Sequence, residues 1–352
     1  MSGRAPEPIR WRDEQLDLLD QTRLPAHAVY ERQTSLESVY AAIRCLKVRG
    51  APAIGIAAAY GLVVAMQSYR TATKNEFDDA LAAAAARLRD ARPTAVNLGW
   101  AVDRIAASAQ PPGDGATQYA RIKSAAEQIH AEDRAMCHAI GRAGMALITP
   151  GCGVLTHCNA GALAVSELGT ATAPMYLAHD AGIAFRVYAG ETRPLLQGSR
   201  LTAWELSQAG LDVTLICDSM VARMMAEGLI DVVLVGTDRV TRNGDVINKI
   251  GTSGIAILAR HFGIPFYVAC PSSTYDPATA TGASVVIEER DPEEVRTVFG
   301  VATSPAGIKV RNPAFDVTPH DLVTGFITDL GVLVPPFERT LRKLNRWRTL
   351  GE

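Results

Sequence analysis

The chain lacks the composition of a nucleic-acid-binding or membrane-spanning protein. Its 352 residues include 35 Lys and Arg against 37 Asp and Glu, whereas a nucleic-acid-binding surface usually leaves an excess of basic residues. Residues 339–348 are basic, but apolar residues recur there at helical spacing, which predicts a docked helix with a solvated cationic face. The apolar run 53–66 is shorter than the ~20 residues that cross a bilayer. We therefore expect no nucleic-acid partner and no membrane span.

Motifs for metals and nucleotide cofactors are also missing. The 6 cysteines form no CxxC pair, the 7 histidines do not cluster, and HExxH is absent, so neither a metal site nor a disulfide framework is predicted. No GxGxxG or Walker GxxxxGK[ST] motif occurs, which leaves dinucleotide and ATP binding unsupported. Residues 1–20 are polar and charged rather than a signal peptide. These absences predict a cytoplasmic protein that uses no metal and no cofactor.

What the chain does have is enough apolar residues, 48% of the total, for two domains. Residues 1–125 predict a small, mainly helical domain. Its first helix, over 35–47, has a possible capping box in Thr34 and Glu37. A second, Ala-rich helix begins near Pro52, and a third covers 76–90. A helix over 126–148 is expected to connect this domain to the rest of the chain.

Residues 149–352 predict an α/β domain with a doubly wound parallel sheet. Short β-branched runs alternate with helical stretches there, which is typical of a parallel sheet covered on both faces. The runs are VLTHC (154–158), AFRVYAGE (184–191), DVTLICD (212–218), DVVLVG (231–236), PFYVAC (265–270) and SVVIEE (284–289).

Polar groups follow these strands at their carboxyl ends, where α/β sheets bind ligands. Cys158 follows the first strand, and Asp238 follows the fourth. After an Asn-Gly turn, Asn248 and Lys249 come just before a predicted helix. Each candidate also has a structural interpretation, since a Cys at a strand end is commonly a small buried apolar residue and an Asp there is commonly a turn former or helix cap. The remaining strand-end candidates are His157, Asn159, Glu191, Thr192, Arg193, Asp218 and Thr237.

Two arginines directly precede predicted helix starts in the first domain. Arg49 is followed by Gly50, Ala51 and Pro52, and Arg92 is followed by a proline. Free N–H groups at a helix start beside an arginine form an anion-binding site. Either feature alone is common. Together with an acid and a thiol at a sheet edge, they predict a phosphorylated substrate bound in a cleft between domains.

Several motifs resemble those of the S-methyl-5-thioribose-1-phosphate isomerase family of methionine salvage. They are VRGAPAIG (48–55), LTHCNAGALA (155–164), VYAGETRPLLQGSRLTAWEL (187–206), VGTDRVTRNGDVINKIGT (235–252) and NPAFDVTP (312–319). The resemblance spans about residues 35–330. It implies a small helical N-terminal domain on a Rossmann-like C-terminal domain, a homodimer, and no metal or nucleotide.

The resemblance also implies roles for individual residues. The family's acid corresponds to Asp238, and its catalytic cysteine corresponds to Cys158. Thr237 and Ile247 stand where the family often has Ala. The implied substrate-contacting residues are Arg49, Gly50, Ala51, Arg92, Gln197, Asn248 and Lys249. The alternatives left open are an isomerase of another pentose 1-phosphate, such as 5-deoxyribose 1-phosphate or ribose 1,5-bisphosphate, and a regulatory subunit of the translation-initiation exchange-factor type.

Overall fold

The computed structural model describes residues 5–92 and 96–345 and divides the chain into two compact units. The N-terminal unit contains Pro6–Cys137 and Ala162–Gly169. The C-terminal unit contains His138–Gly161 and the described residues from Thr170 onward. The fold is α/β, with helices and a mixed, mainly parallel sheet. The short segment Ala162–Gly169 belongs to the N-terminal unit, although in the chain it follows the first strand of the C-terminal unit. This arrangement was not predicted from the sequence, which was divided into consecutive domains.

The N-terminal unit contains long helices and a small sheet. The helices are α1 (Leu36–Arg44), α2 (Ala51–Met66), α3 (Lys74–Ala91), α4 (Val96–Ser108) and α5 (Gly115–Gly144), of which α5 continues from His138 into the C-terminal unit. The helix predicted over 126–148 therefore begins earlier, at Gly115. The predicted capping box of α1 was wrong in register. Ser35 is the N-cap, its hydroxyl accepts the Ser38 N–H, and the Ser38 hydroxyl accepts in return.

The strands of this unit were not predicted. They are β1 (Ile9–Arg12), β2 (Gln15–Leu19) and β3 (Tyr30–Gln33), and they form an antiparallel sheet in that order. Their sequences IRWR, QLDLL and YERQ contain one β-branched residue and several charges, so local propensity does not identify them.

Helix α2 is the apolar centre of the N-terminal unit. Together with the 3₁₀ turn that follows it, it forms a helix of 19 residues, Ala51–Tyr69, with a mean hydropathy of 1.4. Within the described part of the chain it is the one helix with the length and composition of a membrane span, but 72% of it is buried inside the protein. Helices that are apolar on all sides occur in protein cores as well as in membranes, and the burial indicates a core helix.

The C-terminal unit is organised around a seven-stranded sheet in the order β16-β15-β10-β7-β4-β5-β6. All neighbouring pairs are parallel except β15 and β16, which form an antiparallel edge. Its strands are β4 (Gly153–Thr156), β5 (Arg186–Gly190), β6 (Val213–Ile216), β7 (Val232–Val235), β10 (Phe266–Ala269), β15 (Gly325–Thr328) and β16 (Gly331–Leu333).

The same unit contains two smaller sheets and short helices. The four-stranded sheet β11-β8-β9-β14 consists of β11 (Tyr275–Asp276), β8 (Arg239–Thr241), β9 (Val246–Lys249) and β14 (Phe315–Thr318). Strands β12 (Thr297–Val298) and β13 (Val301–Ala302) form a hairpin. The helices are α6 (Ala173–Asp180), α7 (Ala203–Gln208), α8 (Val221–Ala226), α9 (Thr252–Phe262), α10 (Glu293–Arg296) and α11 (Phe337–Thr340).

Five of the six predicted buried runs form strands of the large sheet, and the sixth was wrong. The run SVVIEE is a 3₁₀ turn and loop in which Val286 is 94% exposed. Strand β15, with the sequence GFIT and every residue buried, pairs with β10 instead. Of the predicted C-terminal helix 339–348, α11 and a 3₁₀ segment Leu341–Asn345 are seen, and 346–348 lie outside the described residues.

Candidate active site

Strand order places two candidate residues on adjacent strands of the large sheet. Strand β4 pairs with β5 on one side and with β7 on the other. Cys158 follows β4, and Asp238 follows β7. Because the chain proceeds from β4 to β5 and β6 on one side and then returns to β7 on the other, the strand order reverses between β4 and β7. Open α/β sheets bind ligands outside the carboxyl ends of the strands at such a reversal.

Cys158 has an unusual backbone conformation. Its φ is 59°, in the left-handed region that few residues other than glycine adopt. The Cys158 N–H donates to Thr192 Oγ1 at 2.8 Å, and Thr202 Oγ1 donates to the Cys158 carbonyl at 2.5 Å. The residue is half-buried. Strained residues of this kind persist where surrounding contacts enforce them, and they cluster at functional sites.

Thr192, which accepts the Cys158 N–H, is itself held on several sides. It is fully buried and has a φ of 64°, a conformation that is strained for a β-branched residue. Its hydroxyl donates to the Gly190 carbonyl at 3.1 Å. The Asp218 carboxylate accepts the N–H of Thr192 at 2.9 Å and that of Arg193 at 2.8 Å. Asp218 therefore fixes the chain that follows β5.

His157 links the end of β4 to the segment before α9. It is 2% exposed, and its Nε2 lies 2.8 Å from the Ile250 carbonyl. A carbonyl can only accept, so Nε2 carries the proton. The other nitrogen, Nδ1, is 3.9 Å from Asp218 Oδ1. Burial lowers the pKa of His157 and outweighs the attraction of that carboxylate. The imidazole is therefore neutral at neutral pH.

Asp238 begins a hairpin that leaves the large sheet. Its backbone N–H donates to the Ile247 carbonyl at 3.0 Å, so the acid is anchored across the hairpin formed by β8 and β9. Asp238 is exposed.

Asn248 and Lys249 lie on strand β9 rather than in a loop. Asn248 is buried, and its Nδ2 donates to Thr252 Oγ1 at 3.1 Å. Lys249 Nζ donates to the Ala314 carbonyl at 2.9 Å and lies 4.7 Å from the centre of the Phe315 ring. Since β9 forms the hairpin with β8, these residues and Asp238 belong to one rigid element.

Asp316 on β14 holds the start of α9. Its carboxylate accepts the Gly251 N–H at 2.8 Å and the Ser253 N–H at 3.1 Å. Burial raises the pKa of Asp316 to about 6, even though these backbone donors and Lys249 oppose the shift. The carboxylate thus joins the segment after Lys249 to the next strand of its sheet.

Gln197 is buried and directly precedes a π-helical segment, Gly198–Thr202, that leads into α7. Its Oε1 is buried without a hydrogen-bond partner among the described residues. An unsatisfied buried amide oxygen costs free energy, so a ligand hydroxyl or N–H that donates to it would be stabilised. Single π-helical turns occur frequently at functional sites, and this one ends in Thr202, which contacts Cys158.

The other four candidates lie in the N-terminal unit. Arg49 is half-buried and precedes Gly50, the N-cap of α2, whose φ is 86°. A Cβ at Gly50 would lie 2.4 Å from the Ala164 carbonyl oxygen, so only glycine fits there. Ala51 is the first residue of α2, and no side chain caps this helix. Arg92 ends α3 as its C-cap, and the proline after it lies outside the described residues.

Reading the sequence did not single out two residues that hold this site together. Thr202 was not recognised because its contact with Cys158 spans 44 positions. Asp316 lies within NPAFDVTP, one of the quoted motifs, and that was its only signal. Across residues 5–92 and 96–345, no group of three or more His, Cys, Asp or Glu side chains could hold a metal ion.

Comparison with known proteins identifies relatives along nearly the whole chain. Residues 47–335 match the model of the Initiation factor 2 subunit family. A methylthioribose-1-phosphate isomerase from Symbiobacterium thermophilum is 51% identical over 351 residues, which is 98% of each chain. A 5-deoxyribose 1-phosphate isomerase from Bacillus thuringiensis (strain Al Hakam) is 51% identical over 339 residues, 96% of this chain and 98% of that one.

A solved structure has the same fold. The crystal structure of 5-methylthioribose 1-phosphate isomerase from Pyrococcus horikoshii OT3 superimposes with a TM-score of 0.93 at 42% sequence identity. The match covers 97% of this chain and 96% of that one.

Proposed function

The chain belongs to the Initiation factor 2 subunit family, and from that premise we propose that it is an aldose–ketose isomerase of methionine salvage. Its substrate is 5-methylthioribose 1-phosphate and its product 5-methylthioribulose 1-phosphate. The observation that carries this proposal is the 51% identity, over 98% of both chains, to a methylthioribose-1-phosphate isomerase. The placement of Cys158 and Asp238 beside the reversal of strand order is consistent with catalysis at that edge.

We assign the role of general acid to Asp238. The anomeric oxygen of the substrate carries phosphate, so the sugar ring cannot open as a free hemiacetal does. A proton must reach the ring oxygen and a hydrogen must move from C2 to C1. The C2 hydroxyl must also lose its proton as it becomes the ketone, and the carboxylate left after the ring oxygen is protonated can accept it. Asp238 must therefore hold a proton near neutral pH, well above the ~3.9 of an isolated aspartic acid. A bound sugar that covers this exposed side chain and a nearby phosphate dianion both favour the protonated form.

Cys158 is the second catalytic residue of the proposal, and two routes fit it. As a thiolate it would remove the C2 proton and deliver a proton to C1. As a thiol it would shape the site while hydride moves directly from C2 to C1. Reaction in deuterated water distinguishes the routes, because substantial deuterium at C1 of the product requires proton exchange with solvent. A product without deuterium supports the hydride shift.

The remaining candidates are proposed to bind the substrate. In the C-terminal unit, Gln197 offers an unpaired amide oxygen to a sugar hydroxyl, and Asn248 and Lys249 are presented by the hairpin that carries Asp238. In the N-terminal unit, the uncapped start of α2 at Gly50 and Ala51, the preceding Arg49, and Arg92 are suited to the phosphate.

The proposal also includes the domain arrangement, the oligomeric state and the cellular location of the protein. We infer a Rossmann-like, doubly wound arrangement around the seven-stranded sheet, a small N-terminal domain, a homodimer and a cytoplasmic location. The second candidate substrate is 5-deoxyribose 1-phosphate, since a relative of that name is also 51% identical to this chain. The two sugars differ at C5, where one has a methylthio group and the other a hydrogen, so apolar contacts at that carbon decide between them.

The test is turnover by the purified protein alone. Ketose formation is measured with 5-methylthioribose 1-phosphate, 5-deoxyribose 1-phosphate and ribose 1,5-bisphosphate. We expect the highest kcat/KM for the methylthio sugar. A higher value for the deoxy sugar would move the assignment to the second candidate, and no turnover of any of the three would favour a non-catalytic subunit.

A further inference from the structure

The conformation of Cys158 depends on two residues to which no catalytic or binding role has been assigned above. Cys158 at φ 59° and Thr192 at φ 64° are both left-handed, and each conformation is strained for a residue that has a side chain. Two strained residues, which follow the adjacent strands β4 and β5, are joined directly by the Cys158 N–H···Thr192 Oγ1 hydrogen bond of 2.8 Å. Surrounding contacts must stabilise both conformations together.

The hydrogen bonds of Thr192 explain how the left-handed conformation of Cys158 is stabilised. Its hydroxyl has one proton and two acceptors within reach, the Gly190 carbonyl at 3.1 Å and the more distant His157 Nδ1 at 3.5 Å. A lone pair is thereby directed to the Cys158 N–H. The backbone N–H of Thr192 is in turn held by Asp218 Oδ1 at 2.9 Å, while Oδ2 of the same carboxylate holds Arg193 at 2.8 Å. A carboxylate that accepts two consecutive backbone N–H groups fixes the orientation of that peptide.

Close packing leaves this arrangement little freedom to move. A Cβ at Gly190 would lie 3.2 Å from Asp218 Oδ1 and 3.4 Å from His157 Nδ1. A Cβ at Gly198 would lie 1.7 Å from the Gly190 carbonyl oxygen. Backbone therefore packs directly on backbone around Thr192, and the hydroxyl cannot shift without breaking one of its contacts.

We propose that Thr192 and Asp218 are positioning residues for Cys158, with Asp218 fixing the Thr192 backbone and the Thr192 hydroxyl fixing the Cys158 N–H. This inference rests on the proposed function for its kinetic consequence. Its structural content, the restraint of Cys158, does not depend on which sugar is bound. A reacting group displaced by about 1 Å loses on the order of 100-fold in rate, so the hydroxyl of the fully buried Thr192 controls turnover.

The experiment compares Thr192→Val, Thr192→Ser and Asp218→Asn with the wild type. Valine keeps the β-branched shape without the hydroxyl, and serine keeps the hydroxyl. The matched controls are Thr328→Val and Asp329→Asn. Thr328 is a fully buried threonine whose hydroxyl donates to the Gly331 carbonyl, and Asp329 accepts the Ser272 N–H and hydroxyl.

We expect Thr192→Val and Asp218→Asn to lower kcat by ~10–100-fold with KM changed by less than ~3-fold. Thr192→Ser and the two controls should stay within ~3-fold of the wild-type kcat. Equal loss in the controls, or no loss in Thr192→Val, would overturn the proposal. If Thr192→Val does not fold, Asp218→Asn decides the same question.

A second measurement separates this inference from the proposed function. The rate at which iodoacetamide modifies Cys158 is followed by mass spectrometry, with the exposed Cys45 and Cys217 as internal references. Release of the restraint should raise the Cys158 rate by ~3-fold or more in Thr192→Val, while the reference rates stay constant. An unchanged Cys158 rate contradicts the positioning role. If the wild type turns over no sugar, the proposed function fails, and this measurement still tests the restraint.

Discussion

The raised pKa of Asp316 predicts how the stability of the C-terminal unit changes with pH. The carboxyl holds the N–H groups of Gly251 and Ser253 at the start of α9, and burial raises its pKa from 3.8 to about 6. A carboxyl with a raised folded-state pKa binds more protons in the folded than in the unfolded state between these two values. Its contribution to stability is therefore complete below pH 3.8 and is lost as the pH rises through about 6.

The magnitude follows from the shift. About two pKa units at ~1.36 kcal/mol each give ~3 kcal/mol. The free energy of unfolding of the wild type relative to Asp316→Asn should thus fall by ~3 kcal/mol between about pH 4 and pH 7. Asparagine keeps an acceptor for the backbone N–H groups but does not titrate, so the variant isolates the ionisation.

Urea unfolding of the wild type and Asp316→Asn across this pH range measures the difference. The control is Asp321→Asn, because Asp321 forms an exposed ion pair with Arg260, and exposed pairs contribute little. A difference between wild type and Asp316→Asn that stays flat, or that rises with pH, would refute the reasoning.

Three other predictions follow from the described contacts. Gly198→Ala should prevent folding or abolish turnover, because the Cβ of the alanine would lie 1.7 Å from the Gly190 carbonyl oxygen. The control is Gly254→Ala in α9, where a Cβ meets nothing within 4 Å. This variant should raise the Tm, because alanine favours a helix more than glycine does. Burial lowers the pKa of His130 from 6.5 to about 4, so the contribution of its neutral imidazole to stability should be lost as the pH falls from 6.5 through 4. In urea unfolding, the free energy of unfolding of His130→Gln should therefore decrease less over this pH range than that of the wild type. Arg49→Ala should weaken substrate binding by ~1.5–3 kcal/mol, measured by calorimetry, and an unchanged affinity would place the phosphate elsewhere.

Local sequence patterns identified the strands of the large sheet where apolar residues run without interruption. VVLV of β7 and GVLT of β4 are buried at every position, as expected for strands covered on both faces. The same criterion failed for SVVIEE, whose β-branched residues find no core to pack against. It also failed for β1–β3, where charged residues interrupt the short strands. Propensity describes what a segment can form, and packing decides what it does form.

The candidate site was predictable to a similar extent. The positions of Cys158 and Asp238 after strands could be inferred, because a strand end is a local property. That the two residues lie on neighbouring strand ends could not be inferred, because it depends on β4 and β7 being adjacent in the sheet. The strand order is set by how the chain crosses the sheet, which is not a local property. The contacts of Thr192 and Thr202 with Cys158 span 34 and 44 positions, and no local pattern encodes such pairings.

The most direct test of the proposed catalysis is the turnover of 5-methylthioribose 1-phosphate by Asp238→Asn. A general acid contributes on the order of 10²–10⁴-fold to rate, so kcat should fall by at least ~100-fold while substrate affinity changes by less than ~3-fold. The matched control is Asp212→Asn, an exposed aspartate before β6 at the opposite edge of the sheet, which should keep the wild-type kcat. If Asp238→Asn retains turnover within about tenfold of the wild type, Asp238 is not the acid.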